Sequence, residues 1–165
     1  MGAIDNVLRA NSTYALAHDP HELSPSPRRK LAVLMCMDTR LERKTLGLEP
    51  GDAHFIRNAG GIVTDDAIRS LLISHYLLGT EEIMVINHTD CGLMKATESE
   101  LHALIEAKAG GPANMPVRFH AFKDVEHNVR EQLRKLASHS WIRDEVKIRG
   151  FVYDVLTGRL KEVKL

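Results

Sequence analysis

Ile4, Val7, Leu8, Tyr14 and Ala15, with Asn11 and His18 in the same series, recur at helical spacing, which predicts an amphipathic helix over the first ~16 residues, stopping before Pro20. Pro25-Ser26-Pro27-Arg28-Arg29-Lys30 reads as a turn-rich linker. The run Leu31 to Met37 is apolar without alternation, as strands buried on both faces are. A short helix is expected over Leu41 to Leu46, closed by Gly47, and then a second strand over Ala53 to Arg57 that meets a flexible Asn58-Ala59-Gly60-Gly61. Thr64 is a natural N-cap, with Asp65 and Asp66 in the first turn of a helix running to Leu78 and ended by Gly79. Glu82 to Asn87 gives a third strand, and helices follow over Glu98 to Lys108 and Asp124 to Ser138, separated by the loop Gly110 to Pro116. Gly150 to Val155, a turn at Thr157-Gly158 and Leu160 to Val163 predict a closing strand with an antiparallel return. Strands alternating with helices imply an α/β fold, a mostly parallel sheet covered on both faces, as one domain over residues 1–165. Residues 1–30 form an N-terminal helical arm and linker able to pack on a partner subunit. Met35, Met37, Met84 and Met94 are read as core filler, and His54, His75, His120 and His127 as packing or surface residues.

Composition narrows the class of protein. Lys plus Arg equals Asp plus Glu at 22 each, so no net charge points to nucleic acid or to an anionic membrane. No apolar run reaches the ~20 residues of a membrane span, and the N-terminal residues lack the basic flank and apolar stretch of a signal peptide. Cys36 and Cys91 are the only cysteines. Two thiols make no disulfide scaffold and fit a reducing cytoplasm.

Those two cysteines carry the chemistry. Cys36-Met37-Asp38-Thr39-Arg40 follows the first strand, and if the chain stays extended there, Cys36, Asp38 and Arg40 share a face. His88-Thr89-Asp90-Cys91-Gly92 follows the third strand. Ligand crevices in parallel sheets lie beyond the carboxyl ends of strands, so both segments point to one site. Two thiolates and an imidazole form a zinc ligand set, and three protein ligands leave a position for water or substrate. Cys91-Gly92 opens a loop or helix N-terminus whose amides favour the thiolate. Two thiolates neutralise the metal, so water there is acidified less than on a three-histidine zinc, which favours mildly alkaline conditions. Asp38 paired with Arg40 can accept a hydrogen bond from the reacting water; released, it can swing onto the metal as a conditional fourth ligand. Blander readings stay open at this point: two inert core thiols, a structural zinc site, a plain Asp38–Arg40 salt bridge, and a simple turn at Asn58 to Gly61. Thiol phosphatase chemistry needs an arginine six residues beyond the cysteine, where Glu42 stands.

These segments, with Asp52-Ala53-His54-Phe55-Ile56-Arg57-Asn58-Ala59-Gly60 between them, resemble the β-class carbonic anhydrases in their short form, and the resemblance spans nearly all of the chain after Lys30. It implies one zinc ion per subunit on Cys36, His88 and Cys91, with Asp38 and Arg40 as the catalytic dyad. It also implies that Asn58, Ala59, Gly60 and Gly92 border the substrate pocket. The implied reaction is reversible hydration of carbon dioxide to bicarbonate and a proton through zinc-bound hydroxide. The implied partner is a second copy embraced by the N-terminal helix, giving a homodimer or a dimer of dimers. Val33 stands where some members carry a tryptophan belonging to an inhibitory bicarbonate site, so that site is not expected; the only tryptophan is Trp141. The competing activity is carbonyl sulfide hydrolysis, and the competing class is a catalytically silent zinc-binding module.

Overall fold

In the computed structural model, which describes residues 2–19, 23–115 and 117–165, the apolar run after Lys30 is the middle of a sheet. Strand β1 (Leu31–Cys36) lies between β2 (Ala53–Asn58) and β3 (Glu82–His88), followed outward by β4 (Lys147–Tyr153) and β5 (Leu160–Val163). The first four strands are parallel, and β5 returns antiparallel to β4. Ala32, Val33 and Leu34 have no exposed surface, which is why this stretch shows no alternation. The chain leaves β1 for β2 on one side and leaves β3 for β4 on the other. Connections therefore diverge between the carboxyl ends of β1 and β3, and a crevice opens there.

The two faces are covered unequally. Helices α2 (Asp65–Tyr76) and α4 (Val125–Ala137) lie on the same face, where Ala67, Leu71, Val129 and Leu136 pack against Ala32, Leu34, Val85 and Val152. The opposite face, carrying Val33, Met35, Ile86 and Phe151, is closed by turn segments through Leu41, Leu48, Leu93 and Phe122. Thr64 caps α2 through Ala67 N–H (3.2 Å), Asp124 caps α4 through His127 N–H (2.6 Å), and α3 (Glu98–Ala109) opens on a reciprocal Thr97–Glu100 box. Helix α1 (Ala3–Ala15) has no buried residue, and Ile4, Val7, Leu8 and Tyr14 keep most of their surface exposed.

Several boundaries differ from the sequence reading. Pro20 and Pro116, read as a helix stop and a loop residue, lie outside the described residues. The helix expected over Leu41 to Leu46 is only a 3-10 turn, Arg43–Leu46, ended by Gly47 in left-handed conformation (φ 64°). Strand β4 begins at Lys147 rather than Gly150, because its first residues are polar and exposed: Lys147 pairs with Glu82 and Arg149 with Glu162. Met37 is 63% exposed and is not core filler, since β1 ends at Cys36 and the chain turns outward. His54 bridges Ser74 Oγ (2.7 Å) and the Pro25 carbonyl (2.8 Å), tying the linker to α2.

Helix α4 sits tight against the sheet at Gly150, where a Cβ would lie 2.5 Å from Val129 Cγ1 and 2.8 Å from Leu133 Cδ1. Gly150→Ala is therefore expected to destabilise the fold by about 1–3 kcal/mol through overpacking, measured by urea unfolding at fixed protein concentration.

Candidate metal centre

The carboxyl ends of β1 and β3 deliver Cys36 and His88 side by side, and the turn after β3 brings in Cys91 as the residue before a 3-10 turn, Gly92–Met94. Ligand atoms of Cys36, His88 and Cys91 lie within 4.8 Å of one another, and all three residues are buried. The His88 ring is oriented by its own neighbour: Nδ1 lies 2.8 Å from the Thr89 carbonyl, which can only accept, so Nδ1 carries the proton and Nε2 keeps a lone pair. That Nε2 is the sole buried side-chain nitrogen or oxygen without a hydrogen bond among the described residues. A ligand set of two sulfurs and one imidazole suits zinc, and a lone pair left unused in the interior suits a metal better than it suits packing. Thr89 itself is held by the Tyr153 carbonyl on its N–H (3.0 Å) and by Val155 N–H on its hydroxyl (3.1 Å).

Asp38 and Arg40 meet beside this set, though not by the alternation of an extended strand. Asp38 Oδ1 accepts the Arg40 backbone N–H (2.9 Å), and this local turn folds the guanidinium back onto the carboxylate at 3.0 and 2.8 Å. Asp38 Oδ2 stands 3.9 Å from His88 Nε2, with its side chain one-fifth exposed. Arg40 reaches further, to Asp90 Oδ2 (3.0 Å) and the Asp90 carbonyl (3.3 Å), and Asp90 also pairs with Lys95 (2.8 Å). Asp90 adopts a left-handed φ of 56° to do so. Arg57 donates to the carbonyls of Cys36 (3.2 Å) and Asp38 (2.7 Å), bracing the backbone that carries both functional groups.

The loop after β2 is held, not flexible. The Asn58 side chain bonds both Ile62 N–H (2.8 Å) and the Ile62 carbonyl (2.7 Å), making a 3-10 turn of Ala59–Gly61. Gly60 N–H points at Cys36 Sγ, 3.3 Å away. Gly60 has φ 81°, and a Cβ there would lie 2.7 Å from Leu93, so glycine is required. Apart from its chain neighbours and the backbone of its own turn, no heavy atom lies within 4 Å of where a Gly92 Cβ would stand, so the space beside Cys91 is open. Asp90, Arg57 and Gly60's role on the sulfur escaped the sequence reading. A lone arginine closing the apolar strand β2 was a usable signal for Arg57; nothing local marked Asp90.

Electrostatics follow from these contacts. The Cys91 thiol, the His88 ring and the Asp38 and Gly60 amides outweigh burial and hold the Cys36 thiol below its ordinary range. Sharing that proton with Cys36, and burial after it, pushes Cys91 up. Burial works against a charged His88, but the Cys36 thiolate outweighs it and the net direction is upward. Arg40 holds the Asp38 carboxyl well below the usual carboxylate range, and Lys95 and then Arg40 lower Asp90.

Residues 31–160 match the model of the carbonic anhydrase family. Beta-carbonic anhydrase 1 of Mycobacterium tuberculosis is 40% identical over 165 residues, covering 99% of each chain. A carbon disulfide hydrolase of Acidianus sp. is 34% identical over 183 residues, covering 96% of this chain and 88% of that one. Among solved structures, the carbonic anhydrase of Streptococcus mutans superposes with a TM-score of 0.91 at 42% identity, covering 99% of each chain.

Because Arg40 lowers the folded-state pKa of Asp38, the pair stabilises the fold above the ordinary carboxylate range, and that contribution is lost as pH falls toward the lowered value. In metal-free protein, the stability gap between wild type and Asp38→Asn is expected to be largest near neutrality and to narrow from about pH 4 downward, read from urea unfolding at each pH.

Proposed function

The chain belongs to the β-class carbonic anhydrase family, and from that premise we infer that it hydrates carbon dioxide reversibly to bicarbonate and a proton, with one zinc ion per subunit on Cys36, His88 and Cys91. The observation that carries the reading is the unpartnered lone pair of His88 Nε2 facing two cysteine sulfurs, with an ionised carboxylate beside them. When bound, zinc supplies a Lewis acid that activates water near neutral pH. The Thr89 carbonyl keeps the His88 ring in its metal-binding tautomer, and Gly60 N–H and the Cys36 strand end hold one sulfur in place.

Asp38 is the residue that faces the reacting water. Kept ionised by Arg40, it accepts a hydrogen bond from water in the crevice and so turns the remaining lone pair toward the carbon of carbon dioxide. Arg40, shared between Asp38 and Asp90, holds the carboxylate in that role; without the pairing Asp38 would be free to join the residues that hold the metal. Asn58, Ala59, Gly60 and Gly92 line the approach. Two thiolates on the metal set the activity toward mildly alkaline pH. Reduced thiols in the ligand set support a cytoplasmic setting. The apolar stripe of Ile4, Val7, Leu8 and Tyr14 on α1 supports a homodimer, or a dimer of dimers, in which this arm lies on the partner.

Stopped-flow assay of zinc-loaded protein is expected to show carbon dioxide hydration well above buffer, and Asp38→Asn is expected to lower kcat by roughly 100-fold. Zinc-loaded wild type that matches buffer sinks the reading. The carbon disulfide hydrolase relative makes carbon disulfide a substrate to run in parallel, beside the carbonyl sulfide of the competing reading. Sedimentation of the Val7→Asp, Leu8→Asp double variant is expected to give monomers where wild type gives dimers or larger.

A further inference from the structure

A second group of polar side chains is sunk in the interior beside the ligand set. Asn87 on β3 and Asn128 and Gln132 on α4 are 0%, 7% and 7% exposed. Amides buried this deeply are costly unless their donors and acceptors are paired, and these three pair in series. Val63 N–H donates to Gln132 Oε1 (2.8 Å), Gln132 Nε2 to Asn128 Oδ1 (2.9 Å), and Asn128 Nδ2 to Asn87 Oδ1 (2.8 Å). Asn87 Nδ2 then donates to the Gly60 carbonyl (2.8 Å) and, at 3.2 Å, to that of Gly61. The chain from Gly60 to Val63 closes the ring.

Both ends of the series are backbone groups of fixed role, an N–H that only donates and carbonyls that only accept. All three amides are therefore locked in one orientation. Gly60 is where the ring meets the metal centre: its carbonyl takes the Asn87 amide, while its N–H is given to Cys36 Sγ (3.3 Å). Gly61 leaves the loop little room to shift, since a Cβ there would lie 2.9 Å from the Ile86 carbonyl and 3.0 Å from Cys36 N.

We propose that Asn87, Asn128 and Gln132 are positioning residues, a one-way amide relay that holds Gly60 N–H on the Cys36 sulfur and so sets how strongly that thiolate binds metal. The relay rests on the metal reading above for its purpose, and its polarity makes it testable with isosteric changes. Asn128→Asp puts an acceptor where a donor stood. Asn87 must then turn its amide over to meet the new carboxylate, which sets its oxygen against the Gly60 carbonyl and drives the loop off the sulfur. Gln132→Glu reverses the relay from the far end, next to a cleft lined by Arg118, His120 and Lys135 that supports the added charge.

The test uses cobalt(II) as a spectroscopic substitute and zinc competition against a chromophoric chelator. Asn128→Asp and Gln132→Glu are each expected to shift the thiolate-to-cobalt charge-transfer band and to weaken zinc binding roughly 10- to 100-fold. Leu133→Val, a core change on the same helix, is expected to lower the unfolding midpoint while leaving both readouts unmoved. In metal-free protein, amide hydrogen exchange at Gly60 is expected to accelerate in the two relay variants and not in Leu133→Val. Relay variants that fold and keep the wild-type band and affinity overturn the proposal, as does an equal shift in Leu133→Val. Should neither relay variant fold, wild-type exchange still decides: a Gly60 N–H that exchanges as fast as an unprotected glycine amide overturns it. Wild type that takes up cobalt without a thiolate band counts against the metal reading instead, while Gly60 exchange in metal-free protein continues to test the relay.

Discussion

A buried imidazole nitrogen with no hydrogen bond is the constraint around which this structure is arranged. His88 has no exposed surface, its Nδ1 proton is committed to the Thr89 carbonyl, and its Nε2 faces the two cysteine sulfurs. Leaving a polar atom unpaired in an apolar interior costs about 1–3 kcal/mol, and a metal ion removes that cost. The sheet order β2-β1-β3-β4-β5 is what makes the arrangement reachable, because it sets the ends of β1 and β3 together at the point where connections diverge. Gly150, by letting α4 lie close to the sheet, brings Asn128 to Asn87 directly behind the site.

Charge around the centre is graded from inside to outside. The Cys36 and Cys91 sulfurs and His88 are enclosed, Asp38 is one-fifth exposed, and Arg40, Asp90 and Lys95 form the solvent side. A carboxylate at that intermediate depth remains ionised because one guanidinium serves it through two nitrogens, and the same guanidinium is tied to Asp90 so that it does not drift into water. The chain thus keeps an acceptor beside the Cys36, His88 and Cys91 cluster, 3.9 Å from His88 Nε2.

Much of this was legible from residue order. Thr64 as a cap, the unalternating run from Leu31 and the convergence of Cys36 with His88 and Cys91 all follow from local chemistry or from a general rule of parallel sheets. Two of the misreadings share a cause. The extended trio Cys36, Asp38, Arg40 is folded instead by the Asp38 side chain capturing Arg40 N–H, a side-chain-to-backbone bond that competes with strand continuation. Met37 loses its core role for the same reason. The start of β4 was hidden because Lys147 and Arg149 face solvent and pair across strands, which no hydrophobic pattern records.

By itself, then, the sequence determined which chemically capable groups come together and on which strand ends they stand, because thiols, an imidazole and paired charges are identifiable as residue types and the sheet rule brings strand ends together. Tertiary structure alone decided how those groups are held. Asp90 on Arg40, Arg57 beneath the Cys36 carbonyl, and the series from Val63 to Gly60 through Gln132, Asn128 and Asn87 join positions 21 to 69 residues apart, apart from the one-turn step between Asn128 and Gln132. The Asn128 and Gln132 contacts exist only once helix α4 has packed on the sheet. Amide side chains such as Asn128 and Gln132 carry no local sign of the partner they will meet.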